Sequence, residues 1–188
     1  RIEARIADLG PELSPGAKGE AVASIEAEET ERGRRRAVAG FDFTFSAPKS
    51  ASALWAVADA GTQALIADAH HAAVAELVAF LEREVAATRV GATGPHGAVA
   101  HVDVAGVVAA AFDHYDSRAG DPQLHTHAVV ANTTHADERW STLDGRVILR
   151  HAKTAGYLYH AALRDQLTQE LGVAWGAVEK GTAEIQGI

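Results

Sequence analysis

Aromatic and polar side chains alternate along residues 37–47, whose sequence is AVAGFDFTFSA. A period of two is typical of a half-buried β-strand. We therefore expect a strand whose three phenylalanines face the core, with Asp42 on the opposite face. Pro48 is expected to end this strand, and a helix capped by Ser46 or Ser50 is expected to follow to about residue 58.

Two longer segments have helical spacing instead. From Thr62 to about Arg89, apolar residues recur at intervals of three and four, namely Val74, Leu77, Val78, Leu81 and Val85. A second helix is predicted over Thr154–Leu171 from the spacing of Tyr157, Leu158, Ala161, Leu167 and Leu171. Glycine and proline at residues 91–97 predict a break after the first helix.

Runs rich in valine and alanine at residues 101–112 and 125–131 predict further strands, and residues 140–143 predict a short one. The two longer runs follow one another without an intervening helix, which favours antiparallel pairing. The expected fold class is therefore α+β, with an antiparallel β-sheet palm and flanking α-helices.

The length of 188 residues fits about one domain. Residues 1–36 pass from an acidic run into a basic one and predict a charged helical or loop lead-in, whereas residues 37–188 are expected to form the core of a single domain. The arginines at 32 and 34–36 either belong to a solvated surface or contact a DNA backbone. Because methionine is absent, we expect the chain to begin inside a longer polypeptide.

Composition narrows the function classes. A formal charge of −8 has the wrong sign for a protein that holds nucleic acid by phosphate neutralisation alone. The absence of cysteine excludes a disulfide framework and a thiolate metal site. The sequence has neither a signal-peptide pattern nor a run of roughly 18 apolar residues, which favours a cytoplasmic protein without membrane insertion.

A cluster of histidines carries the candidate chemistry. His125 and His127 are two residues apart, so on a strand they point to the same face, with roughly 6–7 Å between their alpha carbons. His114 ends the preceding strand, and an antiparallel return would place it across from the pair. Three imidazoles so arranged would bind a divalent metal and leave positions open. Asp116 and Asp121, in the intervening loop, are candidates for fixing a ring tautomer, although Asp121 is equally suited to a turn.

A shell of histidines adds no negative charge, so a bound ion keeps its full charge for polarising a phosphate. The alternative is a chance His-x-His pair, since the chain contains ten histidines. The other seven histidines have no comparable spacing and are expected to be solvated or to act as caps.

Three strings of residues resemble the TrwC/MobF-type conjugative relaxases. They are FDFTFSAPKSAS at 41–52, HYDSRAGDPQLHTHAVVAN at 114–132 and RWSTLDGRVILRHAKTAGYLYHAALRDQLTQELGV at 139–173. The resemblance spans residues 37–173. It implies a histidine–hydrophobic–histidine endonuclease fold in which His114, His125 and His127 bind magnesium, manganese or zinc. The residue between the paired histidines is usually bulky and apolar in the wider superfamily. Thr126 departs from this but is similar to the residue that this branch carries there.

The resemblance also implies an activity. A relaxase tyrosine attacks one phosphodiester of single-stranded DNA at a plasmid transfer origin and forms a 5′-phosphotyrosine bond and a free 3′-hydroxyl. Asp42 resembles the acid that helps to deprotonate this tyrosine, so Asp42→Ala is expected to slow cleavage with metal affinity nearly unchanged. The family further suggests a C-terminal helicase domain in the same polypeptide and relaxosome proteins as partners.

The nucleophile itself is not found where the family has it. The chain contains Tyr115, Tyr157 and Tyr159, none of which stands in an N-terminal position. Tyr115 is expected to point away from the face that carries His114. We therefore expect the attacking tyrosine upstream of this chain, and no cleavage by this chain alone.

Contacts to DNA are expected from Lys49, Arg118, Arg146, Arg150 and Lys153. Trp140 is either a buried strand anchor or a platform on which a base stacks. Three other functions share some of these features: a rolling-circle replication-initiator nickase, a non-catalytic remnant that binds DNA or metal, and a metal-dependent hydrolase of small molecules. The last would require a carboxylate base close to the metal.

Overall fold

The computed structural model describes residues 5–6, 9, 14–33, 38–91 and 99–188. Contacts divide the chain into two compact units, Arg1–Val38 and Ala39–Ile188. The described part of the first unit contains helix α1, Pro15–Gly33. Arg34, Arg35 and Arg36 lie outside the described residues, as does the break predicted over 91–97 apart from Gly91, which ends a strand.

The second unit contains the remaining elements. In chain order they are β1 (Gly40–Ser46), α2 (Lys49–Val57), α3 (Ala60–Phe80), a π-helical turn (Leu81–Val85), β2 (Ala87–Gly91), β3 (Val99–Asp103), β4 (Ala109–Asp116), β5 (Pro122–Ala131), β6 (Thr134–Ala136), β7 (Arg139–Ser141) and α4 (Gly145–Leu171). Among the described residues, β1, β5 and β4 form an antiparallel sheet with β5 in the centre. The pairs β2–β3 and β6–β7 form two smaller antiparallel ribbons. The predicted α+β class with antiparallel strands is confirmed.

The two faces of the main sheet differ in polarity. Phe45 is only 3% exposed and packs against Tyr159 of α4, whereas Asp42, on the alternate face of β1, is exposed. On β5, Leu124, Thr126, Ala128 and Val130 are buried, and the histidines between them are on the other face. The alternation predicted for residues 37–47 is thus confirmed, and it places the candidate site on the polar face.

Helices α3 and α4 pack together over the apolar face of the sheet. The segment Ala60–Val85 is long and apolar enough to cross a membrane by length and composition alone. However, Ile66, Ala73 and Leu77 of this helix lie in the core with Phe45 and Leu163. This segment therefore has the burial of a core helix.

Predicted boundaries were wrong at the end of the first long helix, within the strand predicted over 101–112 and at the start of α4. The helix predicted to reach Arg89 ends in the π-helical turn, and Arg89 lies in β2. The strand predicted over 101–112 is two strands, β3 and β4, separated by residues 104–108. Contacts with distant residues hold the intervening loop: the Glu82 carboxylate accepts a hydrogen bond from the Val107 N–H (3.0 Å), and the Gly106 carbonyl accepts one from Thr134 Oγ–H (2.7 Å).

Helix α4 begins nine residues before the predicted start, because Asp144 caps it by accepting a hydrogen bond from Arg146 N–H (3.1 Å). Its predicted apolar stripe was also partly wrong: Tyr157 and Leu158 are each 40% exposed. The buried side chains of α4 are Ile148, Ala155, Tyr159, Leu163 and Leu167.

Helix α2 lacks the predicted serine cap. Pro48 occupies the cap position without a side-chain hydrogen bond. Instead, the Glu184 carboxylate accepts hydrogen bonds from Ser50 N–H (2.8 Å) and Ser50 Oγ–H (2.5 Å). Ile185 N–H donates in turn to Ser50 Oγ (2.7 Å), so the C-terminal segment is held against the start of α2.

Candidate metal centre

Strand pairing brings the three predicted ligands together. His114 of β4 lies directly opposite His125 of the central strand, and His127 follows two residues later on the same face. The ring centroids are 5.0 Å apart for His114–His125, 5.1 Å for His114–His127 and 5.4 Å for His125–His127. One ring nitrogen from each residue lies within 4.8 Å of the others, close enough to hold one metal ion.

Hydrogen bonds orient two of the three rings. His125 Nδ1 lies 2.8 Å from the carbonyl oxygen of Gln123, which only accepts, so this nitrogen carries the hydrogen. His127 Nδ1 lies 2.9 Å from an Asp42 oxygen and donates to it in the same way. In both rings Nε2 is left with its lone pair, as a metal ligand requires.

The donor set fits a divalent ion. Three neutral imidazoles match the protein shell of open, catalytic metal sites, and imidazole is a good ligand for several transition metals. His114 is exposed, and His125 and His127 are half-buried, so one side of the cluster is accessible to a phosphate. The described chain therefore contains a histidine triad able to bind a metal ion.

Asp121 does not orient a ring. Its carboxylate accepts hydrogen bonds from Lys49 Nζ and Ser117 Oγ–H, and these contacts lower its pKa. Lys49 Nζ also donates to the carbonyl of Pro122 (2.7 Å). Asp121 is thus the turn residue between β4 and β5. The ring partners are the Gln123 carbonyl for His125 and, for His127, Asp42 with Thr44 Oγ1 at 3.3 Å from the same nitrogen. Asp116 pairs with Pro122 in the strand register after an irregularity at the end of β4.

The neighbours of His114 on β4 face the other side of the sheet. Tyr115 stacks on Trp55 of α2, with ring centroids 5.4 Å apart, as expected from strand alternation. Asp113 accepts hydrogen bonds from Thr126 Oγ–H (2.5 Å) and His71 Nε2–H (2.9 Å). Neither residue contributes to the polar face that carries the histidine triad.

The expectation for the remaining histidines was wrong at His70. This residue is 0% exposed, and its ring lies 2.7 Å from both the Tyr159 hydroxyl and Thr126 Oγ1. A signal for this was present in the sequence, since His70 follows Ile66 by four residues and precedes Val74 by four on the buried stripe of α3.

The predicted DNA contacts are all exposed, but their surroundings differ. Lys49 is engaged with Asp121, and Lys153 Nζ lies 5.5 Å from the ring centroid of Tyr157. Among the predicted contacts, Arg118, Arg146 and Arg150 are exposed arginines. Trp140 is 71% exposed and contacts the ring of His135 edge-on, so the buried-anchor interpretation was wrong.

Comparison with known proteins agrees with the geometry. A family model described as TrwC relaxase matches residues 8–188. The Multifunctional conjugation protein TraI of Escherichia coli is 38% identical over 159 residues, which cover 79% of this chain and 9% of TraI. TraI from Escherichia coli strain K12 is 37% identical over 166 residues, covering 83% of this chain and 9% of that protein.

Solved structures give the same result. TrwC complexed with a 27-mer DNA comprising the recognition hairpin and the cleavage site is 35% identical, with a TM-score of 0.69, over 79% of this chain and 51% of that one. A metal-bound structure of TrwC with transfer-origin DNA is 34% identical, with a TM-score of 0.68, over 80% and 50% of the two chains. The chain spans about half of these solved chains and about a tenth of the TraI proteins. It belongs to the TrwC relaxase family.

Proposed function

We propose that this chain is the metal-binding part of a conjugative DNA relaxase that nicks single-stranded DNA at a plasmid transfer origin. The observation that carries the proposal is the convergence of His114, His125 and His127, with ring nitrogens within 4.8 Å, on the exposed face of an antiparallel sheet. TrwC, which this chain resembles in fold and sequence, has been solved both with metal and with transfer-origin DNA.

The proposed reaction is transesterification. The tyrosine oxygen attacks phosphorus, the bond to the 3′-oxygen breaks, and the products are a 5′-phosphotyrosine and a free 3′-hydroxyl. Magnesium, manganese or zinc, when bound, would polarise the non-bridging oxygens of the scissile phosphate. The three histidines would hold the ion without reducing its charge. The Asp42 carboxylate is proposed to act beside them as the group that assists deprotonation of the tyrosine.

We propose that the attacking tyrosine is none of the three in this chain. The Tyr159 hydroxyl is buried, donates to His70 and has a raised pKa. Tyr115 lies on the helix-packed side of the sheet, against Trp55. Tyr157 lies near Lys153 on α4. Another segment of the polypeptide would therefore supply the nucleophile.

The DNA path and the partners are also proposals. Exposed cations near the sheet turn and on α4 would contact phosphates, namely Lys49, Arg118, Arg146, Arg150 and Lys153. The exposed ring of Trp140 suits base stacking. As the resemblance to conjugative relaxases implies, a helicase domain in the same polypeptide and relaxosome proteins are proposed partners, in the cytoplasm.

The test uses the full-length polypeptide, an oligonucleotide from the transfer origin, and manganese or magnesium. We expect a covalent protein–DNA band on a denaturing gel that requires metal and disappears in His125→Ala, because two imidazoles hold the ion far more weakly than three. The matched control is His101→Ala, which removes an exposed histidine from the β2–β3 ribbon. Metal binding at wild-type affinity by His125→Ala would overturn the ligand assignment. Stoichiometric metal binding with no covalent band on any origin tried would favour a non-catalytic remnant.

A further inference from the structure

Thr126, the residue between the two histidines of the central strand, faces the protein interior. It is 1% exposed, and its hydroxyl oxygen lies 2.7 Å from His70 Nε2 and 2.5 Å from an Asp113 oxygen. His70 Nδ1 lies in turn 2.7 Å from the Tyr159 hydroxyl oxygen. The second Asp113 carboxylate oxygen lies 2.9 Å from His71 Nε2. These five residues form a hydrogen-bonded chain behind the histidine triad, which we call the relay.

The direction of the hydrogen bonds that Thr126 and His70 make in the relay follows from chemistry. An ionised Asp113 only accepts, so the Thr126 hydroxyl must donate to it. Thr126 oxygen then accepts from His70 Nε2–H, which leaves His70 Nδ1 without hydrogen. Nδ1 therefore accepts from the Tyr159 hydroxyl. One tautomer of a neutral His70 satisfies every contact.

Burial favours this neutral state of His70. Desolvation, with a contribution from nearby His71, lowers its pKa to about 4. The two hydrogen bonds of His70 are buried and that between Thr126 and Asp113 is partly buried. Because these bonds are directional, each one restricts the rotation of its partners.

We propose that Thr126, held by His70 and Asp113, is a positioning residue that fixes the direction in which His125 and His127 point. Side chains of adjacent strand residues lie on opposite faces, so anchoring the middle side chain fixes the rotation of the strand about its own axis. That rotation sets the direction of both imidazoles. An apolar side chain at this position would hold the strand by packing alone, which lacks the directionality of hydrogen bonds. This inference rests on the proposed metal site.

The test compares cobalt binding to Thr126→Val and Thr126→Ser in the full-length protein. Valine keeps the shape and removes the hydroxyl, so we expect cobalt affinity to fall by about tenfold or more, the range typical for lost outer-shell partners. We also expect a changed visible absorption spectrum at saturating cobalt, since the imidazoles converge differently. Serine keeps the hydroxyl and is expected to restore both affinity and spectrum to near wild type.

The matched control is Thr88→Val. Thr88 is also buried, at 2% exposed, and its hydroxyl donates to the Thr142 carbonyl (2.7 Å) away from the relay. Thr88→Val is expected to lower the free energy of unfolding about as much as Thr126→Val does. It is also expected to keep the wild-type cobalt affinity and absorption spectrum. If Thr126→Val matches Thr88→Val in both readouts, Thr126 is merely structural and the proposal fails. If the wild-type protein binds no cobalt, the proposed metal site is overturned, and this result is distinct from a failure of the proposed role of Thr126.

A second variant covers the case in which Thr126→Val does not fold. Tyr159→Phe keeps the aromatic ring and removes only the hydroxyl that donates to His70. We expect a smaller fall in cobalt affinity, about threefold, because the hydrogen bond from Tyr159 acts on Thr126 only through that between His70 and Thr126. Wild-type cobalt affinity in Tyr159→Phe, together with an unfolded Thr126→Val, would overturn the proposal.

Discussion

Asp42 illustrates how one side chain acquires two candidate roles. Its oxygens lie 2.9 and 3.0 Å from His127 Nδ1, so it orients a ring of the histidine triad. The resemblance to relaxases implies instead that it assists deprotonation of the nucleophile. An orienting carboxylate contributes to metal affinity, whereas a proton acceptor need not.

We therefore revise the expectation for Asp42→Ala. Loss of the hydrogen bond to His127 is expected to lower metal affinity by about tenfold, which titration calorimetry would measure. Asp42→Asn retains an oxygen that accepts from His127 Nδ1–H and is expected to keep affinity within about threefold of wild type. Equal affinities for wild type and Asp42→Ala would exclude the orienting role.

Cleavage by Asp42→Asn then separates the two roles. The amide keeps the ring oriented but accepts no proton from tyrosine. Slow cleavage at normal metal affinity would assign the proton-accepting role to Asp42, and normal cleavage would leave only the orienting role.

At the scale of single residues, the triad could be predicted because it follows from local spacing. His-x-His places two rings on one face of any strand, and a short turn returns His114 to them. The partner of His127 could not be predicted in this way, because Asp42 reaches it through the β1–β5 pairing, 85 residues apart. His70 was missed because a histidine was assumed to be solvated even on an apolar stripe.

At the scale of elements, strands with a clear alternation were predicted well, and boundaries set by distant contacts were not. The alternation in β1 depends only on its own residues. The loop between β3 and β4 is held by Glu82, more than twenty residues earlier, and by Thr134, more than twenty residues later. The start of α2 is bonded to Glu184, near the other end of the chain.

The cap of α2 gives a testable consequence. Glu184→Ala removes two hydrogen bonds from Ser50 and is expected to lower the free energy of unfolding by about 1–2 kcal/mol. Urea denaturation would measure this, with the exposed Glu179→Ala as the control. Equal midpoints for the two variants would show that the C-terminal segment does not stabilise the helix.

At the scale of the whole molecule, the charge of −8 makes general attraction to DNA weak. The metal site and a few exposed cations would have to supply local positive potential.

The free energy of unfolding is also expected to depend on pH, because a buried neutral histidine resists protonation only while the chain is folded.

The sign of this dependence follows from His70. Its pKa is about 4 in the folded protein and about 6.5 when unfolded, so between these values the unfolded chain binds the extra proton. The contribution to stability is complete above pH 6.5 and is lost as the pH falls towards 4. We expect about 2 kcal/mol less stability at pH 5 than at pH 7 from this residue.

Urea unfolding with a metal chelator at the two pH values would measure the loss. His160, whose pKa is also lowered by burial, adds in the same direction. His70→Gln is expected to reduce the loss and His135→Ala to leave it unchanged. An unchanged loss in His70→Gln would show that His70 is not its source.

The triad joins strands of unequal local stability. His125 and His127 belong to the central strand of the sheet in the described chain, whereas His114 belongs to β4, whose eight residues are all exposed. An edge strand opens more readily than a central one, so its amide hydrogens exchange faster. An ion bound to all three rings would link β4 to β5. Metal binding would therefore slow amide hydrogen exchange in β4 and change it little in β5.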